Sequence, residues 1–451
     1  MFQVLRLRDF RLLWTARVVS SLGSWLLLIA VPAHVFALTG SLMAAGLTLA
    51  AEFLPVLLFG QVAGVFVDRW DRRTVLVAAD LFRAVAVALL LLARTPDQIW
   101  IVYLALALES TGSLFFRPAA QAHTPIVVGT GRDLTAANSL NTLSDGVMRL
   151  IGGPLGAALL VLFGFPALVL IDVASYLLSG VTILLMTRVA ATAERSAASL
   201  RQVADDLREG FRALRREPIA RALLPITVLF VASNAALSAL LVPFGITHWG
   251  GQQAVGFVVS ALGVGFLLGA PALRLLADRT QPKLLLTGAL AATCVGFFLL
   301  FGAETLAGAL PAAVLIGVAG PIILVLPATT LQRVIPNAVL GRVSAVFFSG
   351  EAVAMLAGAV AGPLVAGHGS VLTITIASCT TVGAAALLCL LVVPPVALPT
   401  AVPAVEPTAG ATAEPTAGTA EPTVEPTAGS AAGTAVEPAV EPAAEPATDR
   451  A

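Results

Sequence analysis

The sequence predicts an all-α membrane protein with twelve transmembrane helices in two pseudo-symmetric six-helix halves. Its 451 residues are 58% hydrophobic and only 12% charged, whereas about a quarter of the residues in soluble domains are charged. Apolar blocks of membrane-spanning length recur along the chain, and several short motifs return at half-chain distance. Together, these observations place most of the chain in a lipid bilayer.

The apolar blocks supply twelve candidate spans, because a spanning helix needs about 20 mostly apolar residues. The first block is too long for the core of a signal peptide and is therefore kept as a helix. The predicted spans are 12–38, 43–67, 74–94, 98–120, 136–163 and 166–187 in the first half, and 221–247, 253–276, 283–303, 306–331, 340–366 and 370–394 in the second.

The distribution of basic residues predicts the orientation, because cytoplasmic loops collect Lys and Arg. If both termini are cytoplasmic, 21 of the 26 Lys and Arg residues lie in cytoplasmic loops and flanks. The reverse orientation would place almost all of them outside. We therefore expect a multi-pass protein of the bacterial inner (cytoplasmic) membrane with both termini inside.

Two segments lie outside the predicted spans. In 190–218, apolar residues recur every three or four positions and arginines occupy the rest of the helix surface, as in an amphipathic helix on the cytoplasmic membrane face. It is either a passive linker or a hinge. The tail, 396–451, repeats Glu-Pro with small residues and is predicted to be disordered and cytoplasmic. The predicted domains are thus 1–189, 190–218, 219–395 and 396–451.

Three landmarks repeat between the halves at nearly one spacing. Asp68 and Asp278 are 210 positions apart, Pro118 and Pro327 are 209 apart, and the Gly-Pro-Leu sequence that starts at Gly153 returns 209 positions later. Two repeated six-helix halves are the arrangement that supports alternating access around a site near the membrane midplane.

The charged loop at the end of the second span, GQVAGVFVDRWDRR, begins at Gly60. Asp68 can face the positive N-terminal end of a neighbouring helix, and the arginines can meet anionic lipid headgroups. A charge cluster whose partners separate as the halves move would favour one conformation. Membrane anchoring alone would explain the arginines but not Asp68.

This loop resembles the signature of the major facilitator superfamily, and the resemblance extends over roughly residues 5–395. The pattern is carried by Gly64, Asp68, Arg69, Arg72 and Arg73, with Asp71 in place of the usual glycine. DRWDRR, RPAAQAHTPIVV and LTAANSL are similar to the drug and siderophore exporter branch, which includes enterobactin and macrolide exporters. The resemblance implies a secondary active transporter whose loop stabilises the outward-facing state.

The fifth span resembles the antiporter motif of the same family through Arg149, Gly153, Pro154 and Gly156. Alanines occupy the last two glycine positions of that motif. The resemblance implies export by proton exchange. Close helix packing is the alternative interpretation, because small residues let helices approach each other.

Ionisable residues inside spans are the best site candidates, because burying them in lipid is costly. The proton or substrate candidates are Glu52, Glu109, Asp145 and Glu351. Glu351 lies roughly 18 Å along its helix, near the midplane, and we expect it to exchange protons together with Glu109 or Glu52.

Spacing also predicts two intrahelical ion pairs. Asp145 and Arg149 are four positions apart, and Asp80 and Arg83 are three apart, so each pair shares a helix face. The latter is expected to be structural. Relatives often carry an acid shortly after the glycine of the first span, but here Gly23 is followed by Ser24.

The predicted function is proton-coupled export of amphipathic small molecules, with no enzymatic activity. No phosphate-binding Gly-Lys-Ser/Thr loop supports ATP drive, so we expect the proton gradient as energy source, no cofactor and no metal. The expected partners are the bilayer, a small-molecule substrate and protons, without nucleic acid, and the transporter is expected to work as a monomer. The alternatives are an uptake permease for a small metabolite and a transporter-like membrane sensor.

Overall fold

The computed structural model describes residues 2–67, 70–129, 131–187, 200–276, 279–335 and 337–394; within these ranges, the side chains at 2, 61–67, 132, 149, 200–207, 337 and 338 are excluded. Every regular element in this part of the chain is helical. The helices are α1 (Arg8–Thr39), α2 (Leu42–Val67), α3 (Arg72–Ala88), α4 (Ile99–Val128), α5 (Arg132–Leu184), α6 (Leu200–Arg216), α7 (Pro218–His248), α8 (Gln252–Leu276), α9 (Pro282–Phe301), α10 (Leu306–Val334), α11 (Asn337–His368) and α12 (Val371–Val392).

All of these helices except α6 are long and apolar enough to cross a membrane. At 53 residues α5 is about 80 Å long if straight, more than twice the hydrocarbon thickness. Its backbone breaks at Gly164, with φ 77° and ψ 169°, a conformation that glycine adopts readily. The twelve predicted crossings are confirmed, the fifth and sixth being the two limbs of α5.

Both limbs of α5 pack against the same part of α1, so the chain reverses at Gly164. A methyl group on Gly156, in the first limb, would lie 2.5 Å from the carbonyl oxygen of Leu26. Three residues earlier on α1, Gly23 leaves no room for a methyl group because the Asp172 carboxylate of the second limb fills that space. Small residues thus set the spacing and register of α1 and α5.

The outer surface of the bundle is apolar. Large side chains that are exposed in the isolated chain include Val85, Trp100, Leu162 and Leu391 on four different helices. Continuous apolar surface of this kind suits contact with lipid. The structure is therefore that of an all-α membrane protein.

We call the end of the bundle where α1 begins, α2 ends, α3 begins, α8 ends and α9 begins the arginine-rich end, and the other the opposite end. Apolar contact between the halves is concentrated at the opposite end. There Val242, Val255 and Val259 join a buried cluster that otherwise belongs to the first half and includes Leu26 and Ile29. The buried clusters of the first half at the arginine-rich end contain only residues of that half. The buried apolar contact between the halves thus lies at the opposite end, whereas Gly60 of α2 meets the Phe348 ring of α11 nearer the arginine-rich end.

The repeat appears in the structure as the same contact made twice. Pro154 of α5 lies against Gly256 of α8, with a methyl group on that glycine 3.0 Å from the proline Cα. Pro363 of α11 lies against Gly46 of α2, where a methyl group would overlap the proline ring. Gly46 and Gly256 are 210 positions apart, which matches the spacing of the sequence landmarks.

The segment that connects the halves contains α6, which rests on α7 and α11. Gly210 approaches the backbone carbonyl of Arg342, and the Arg342 guanidinium lies 2.7 Å from the Glu209 carboxylate. The predicted boundaries after 189, 218 and 395 stay predictions, and the tail lies outside the described residues.

Replacing Gly317 with alanine should destabilise the second half by about 1–3 kcal/mol, because the added methyl group overpacks a tight contact. It would overlap the carbonyl oxygen of Leu262 and lie 2.8 Å from the Cα of Gly265, both on α8. The thermal unfolding midpoint of the purified protein measures the effect. Gly288→Ala in α9 is the matched control, because open space surrounds that position. Equal midpoints for the two variants would show that the contact does not constrain packing.

Candidate functional site

A buried polar cluster joins α3, α4 and α5 of the first half; we define it as Asp80, Arg83, Glu109, Asp172 and Tyr176. Asp80 and Arg83 lie on one face of α3 and form a salt bridge, so the predicted pair is confirmed. They are only 0% and 4% exposed. Buried charges at this depth are stable only when paired and hydrogen-bonded.

Aromatic rings and a serine complete the surroundings of this pair. The Arg83 guanidinium stacks over Phe116 and Tyr176, with its carbon 4.2 and 4.4 Å from the ring centroids. The Ser179 hydroxyl donates to the second oxygen of Asp80 at 2.7 Å. Cation–π contacts and hydrogen bonds both strengthen in a desolvated site. The position of the guanidinium is therefore fixed by α3, α4 and α5 together.

Glu109 of α4 is the centre of the cluster's hydrogen bonds. Its Oε1 accepts from the Ser113 hydroxyl at 2.8 Å and from the Tyr176 hydroxyl at 2.9 Å. The Tyr176 hydroxyl also lies 2.9 Å from the hydroxyl of Ser24 on α1. A chain of hydroxyl groups thus leads from α1 to this carboxyl group. Arg83 reaches the same chain through Ser113, at 3.4 Å.

Asp172 of the second limb of α5 is the third acid of the cluster and is 1% exposed. Its Oδ1 accepts from the Ser175 hydroxyl at 3.1 Å, and it fills the space beside Gly23. It therefore places a carboxyl group beside the glycine after which relatives often carry an acid. Three carboxyl groups share one guanidinium in this cluster, so its net charge depends on how many protons it holds.

Glu52 of α2 is half-buried and lies within electrostatic range of Glu109 and of Arg117. It extends the acidic character of the cluster toward α2, which packs against α11 of the other half. Glu52 and Glu109 are thus close enough for the charge of one to affect the other. Their role in proton exchange stays a prediction.

Glu351 lies in a separate cavity of about 210 Å³ within the second half. The cavity is formed by α7, α10 and α11, and most of its lining is apolar. Among the described residues, Glu351 has no hydrogen bond or ion pair, and none of the lining residues is basic. The structure thus brings Glu109 and Glu52 near each other but places Glu351 in its own surroundings. The polar residues of the lining are Thr227, Gln332, Ser344 and Glu351.

Asp145 has a partner that spacing along its own helix does not predict, and the predicted pair with Arg149 stays a prediction. Its carboxylate lies 3.7 Å from the guanidinium of Arg17 on α1, and its side chain is 61% exposed. The close packing of α1 on α5 brings Arg17 to it, and such a tertiary neighbour competes with the intrahelical one. The Arg149 side chain lies outside the described residues.

The residues of the antiporter-like motif that the structure describes lie at helix contacts. Gly153 packs on Val259 of α8, Pro154 lies against Gly256, and Gly156 touches α1. These contacts agree with the packing interpretation of the motif, and a part in proton exchange stays a prediction.

The described part of the charged loop is tied to its own half. Asp71 caps α3, accepting from the Thr74 backbone nitrogen at 2.8 Å and from its hydroxyl at 2.7 Å. Partial burial acts to raise the pKa of Asp71, but the hydrogen bonds from Thr74 outweigh it and leave the pKa below its usual range. Asp71 therefore stays ionised at neutral pH.

The two described arginines of the predicted switch motif bind backbone carbonyl groups. Arg72 donates to Ala122 of α4 at 3.0 Å. Arg73 donates to Ile183 at 3.1 Å and also to Leu184, at the C-terminal end of α5. Cations are favoured at such helix ends. Lipid headgroups are thus not the sole partners of these arginines; Asp68, Arg69 and the surroundings of Gly64 lie outside the described residues.

Known proteins with similar sequences include bacterial efflux proteins. Macrolide efflux protein A of Streptococcus pyogenes is 25% identical over 305 residues, which is 67% of this chain and 73% of that protein. The multidrug efflux pump Tap of Mycolicibacterium fortuitum is 26% identical over 263 residues, 56% of this chain and 64% of the pump.

The fold is also that of solved transporters. The crystal structure of a mutant of the nucleoside transporter NupG matches with a TM-score of 0.67 at 12% identity, covering 84% of this chain and 99% of NupG. A POT family transporter in complex with a peptide conjugate matches with a TM-score of 0.64, covering 85% and 95% of the two chains. At these identities, the match concerns the fold alone.

The family model described as Major Facilitator Superfamily matches residues 13–359. This range runs from α1 into α11 and includes the polar cluster, the charged loop and the cavity of Glu351. Multi-pass membrane transport follows from the family and from the apolar helices. The chain belongs to the Major Facilitator Superfamily.

Proposed function

We propose that this transporter exports amphipathic small molecules in exchange for protons, by alternating access between its two halves. Export is supported by the names of several relatives, which are macrolide and multidrug efflux proteins. The energy source is the proton gradient, with no bound cofactor, and the working unit is the monomer.

The observation that carries proton coupling is the composition of the polar cluster. Glu109, Asp80 and Asp172 lie with Arg83 in a largely desolvated site between α1, α3, α4 and α5. Ionisable groups at this depth in a membrane protein are typical of proton relays. Glu109 can gain or lose a proton while its serine and tyrosine neighbours reorient their hydroxyl groups. A change of protonation then changes the net charge between helices that must move.

The packing of the halves supports alternating access. They are in contact at the opposite end, through the valines of α7 and α8 and the Gly-Pro contacts. In the predicted orientation this end faces outward, so the structure corresponds to a state that is open to the cytoplasm, from which an exporter takes up its cargo. Protonation of the cluster from outside would then accompany the return step.

A compound-accumulation assay in an efflux-deficient bacterial host tests this proposal. Cells that express the transporter should accumulate less of a transported drug than cells with an empty vector, and a proton uncoupler should abolish the difference. Enhanced entry would indicate uptake instead. A difference that survives the uncoupler would contradict proton coupling, and equal accumulation across a broad compound panel would favour the sensor.

A further inference from the structure

We infer that the cavity beside Glu351 binds a positively charged group of the cargo, so that the transported molecules are organic cations with an apolar body. This inference rests on the proposed function, because it names the substrate class of the same transporter. It concerns a site in the second half, away from the polar cluster.

The cavity combines one acidic group with aromatic walls. Phe230 and Phe347 are buried, and Phe348 is 45% exposed at its edge. No described lining residue carries a positive charge, and Glu351 has no hydrogen bond or ion pair within the described part of the chain. The acid thus has no protein partner there that would satisfy its charge.

These surroundings favour a cation over other ligands. A carboxylate in an apolar cavity is costly unless it is paired, and a ligand ammonium group would supply a charge-assisted hydrogen bond or ion pair. The faces of phenyl rings attract the same positive charge. A neutral ligand would leave Glu351 unpaired, whereas an anionic ligand would be repelled by it.

The size of the cavity limits which part of the cargo it holds. A volume of about 210 Å³ is smaller than the roughly 300–1,000 Å³ typical of sites that enclose a drug-sized ligand. The charged group therefore fits inside, and the apolar body extends past the edge. That edge borders the first half, because Gly60 of α2 lies against the Phe348 ring, with an added methyl group only 3.1 Å away.

The polar cluster is a poorer cation site for two reasons. Glu109 already accepts two hydrogen bonds, and the Arg83 guanidinium beside it would repel a positively charged ligand. Proton exchange and cargo recognition are therefore assigned to acids in different halves, Glu109 and Glu351.

The experiment is equilibrium binding to the purified full-length protein in lipid nanodiscs, without any proton gradient. The probes are benzyltrimethylammonium and its uncharged isostere neopentylbenzene, which have the same shape and differ in charge. The wild type should bind the cation more tightly than the isostere. Glu351→Gln should weaken binding of the cation by about 10- to 100-fold, because the quaternary ammonium group loses its ion-pair partner in a partly desolvated site, and leave binding of the isostere unchanged.

Glu304→Gln is the matched control, because Glu304 is exposed in the connection between α9 and α10; it should bind both probes like the wild type. If Glu351→Gln does not fold, Phe348→Leu at the cavity edge replaces it and should weaken only the cation. Equal wild-type affinity for the two probes, or unchanged cation binding in the variant that folds, would overturn the inference.

The two proposals fail in different ways. Export that depends on the proton gradient, combined with no preference for the cation, would remove the cavity assignment and leave the proposed function intact. Selective cation binding at Glu351, without any export that the uncoupler abolishes, would remove the proposed function and retain the binding site.

Discussion

Replacing Arg83 with leucine should destabilise the transporter by about 3–5 kcal/mol, the usual cost of removing one partner of a buried ion pair. Within the described part of the chain, Asp80 would keep only the Ser179 hydroxyl as a donor in a fully buried site. Tyr176 and Phe116 would also lose their stacked cation. Thermal unfolding of the purified protein, together with the yield of folded protein, measures this effect.

The double variant Asp80→Asn/Arg83→Leu should recover part of the loss, because it no longer leaves a buried carboxyl group without its cation. Arg94→Leu provides the control, since Arg94 is exposed at the opposite end. An Arg83→Leu protein that melts like the wild type would mean that the ion pair contributes nothing to stability.

Replacing Glu109 with glutamine should abolish gradient-driven export while preserving the fold. The glutamine oxygen can still accept the hydrogen bonds from Ser113 and Tyr176, but the amide cannot take up or release a proton. In proteoliposomes, drug transport driven by a pH gradient should fall to background, and exchange of labelled for unlabelled drug without a gradient should continue.

Two further variants sharpen this result. Tyr176→Phe keeps the ring beneath Arg83 but removes the hydroxyl that binds Glu109, so it should slow gradient-driven transport without eliminating it. Glu304→Gln should transport like the wild type. Full gradient-driven transport by Glu109→Gln would exclude Glu109 as the proton carrier and move that role to another acid.

The fold could be predicted from the sequence because the properties that decide it can be read along the chain, segment by segment. Apolar length and the absence of charge determine which segments can cross lipid, and the break near Gly164 coincides with a predicted boundary at 163. Asp80, Arg83 and Glu109 were recognisable as charges inside apolar blocks.

The rest of the site depends on helix register, which the sequence does not reveal. Serine hydroxyl groups usually bond to their own helix, as Ser139 does with the carbonyl of Thr135 at 2.8 Å. No feature of the neighbouring sequence distinguishes Ser179, whose hydroxyl donates instead to Asp80 on another helix. Tyr176 was missed for the same reason. That Glu351 and Glu109 lie apart likewise depends on how the halves pack, as does the pairing of Asp145 with Arg17.

The repeated proline-on-glycine contact makes the closed end an internal counterpart of a two-fold dimer interface. Gly46 with Pro363 and Gly256 with Pro154 are equivalent pairs, each with one member in either half. In an isologous interface between two identical subunits, every contact occurs twice. Here the two copies are encoded separately, so a substitution in one changes only half of the interface. The chain can thus adjust the balance between its closed and open forms in smaller steps than a true homodimer could.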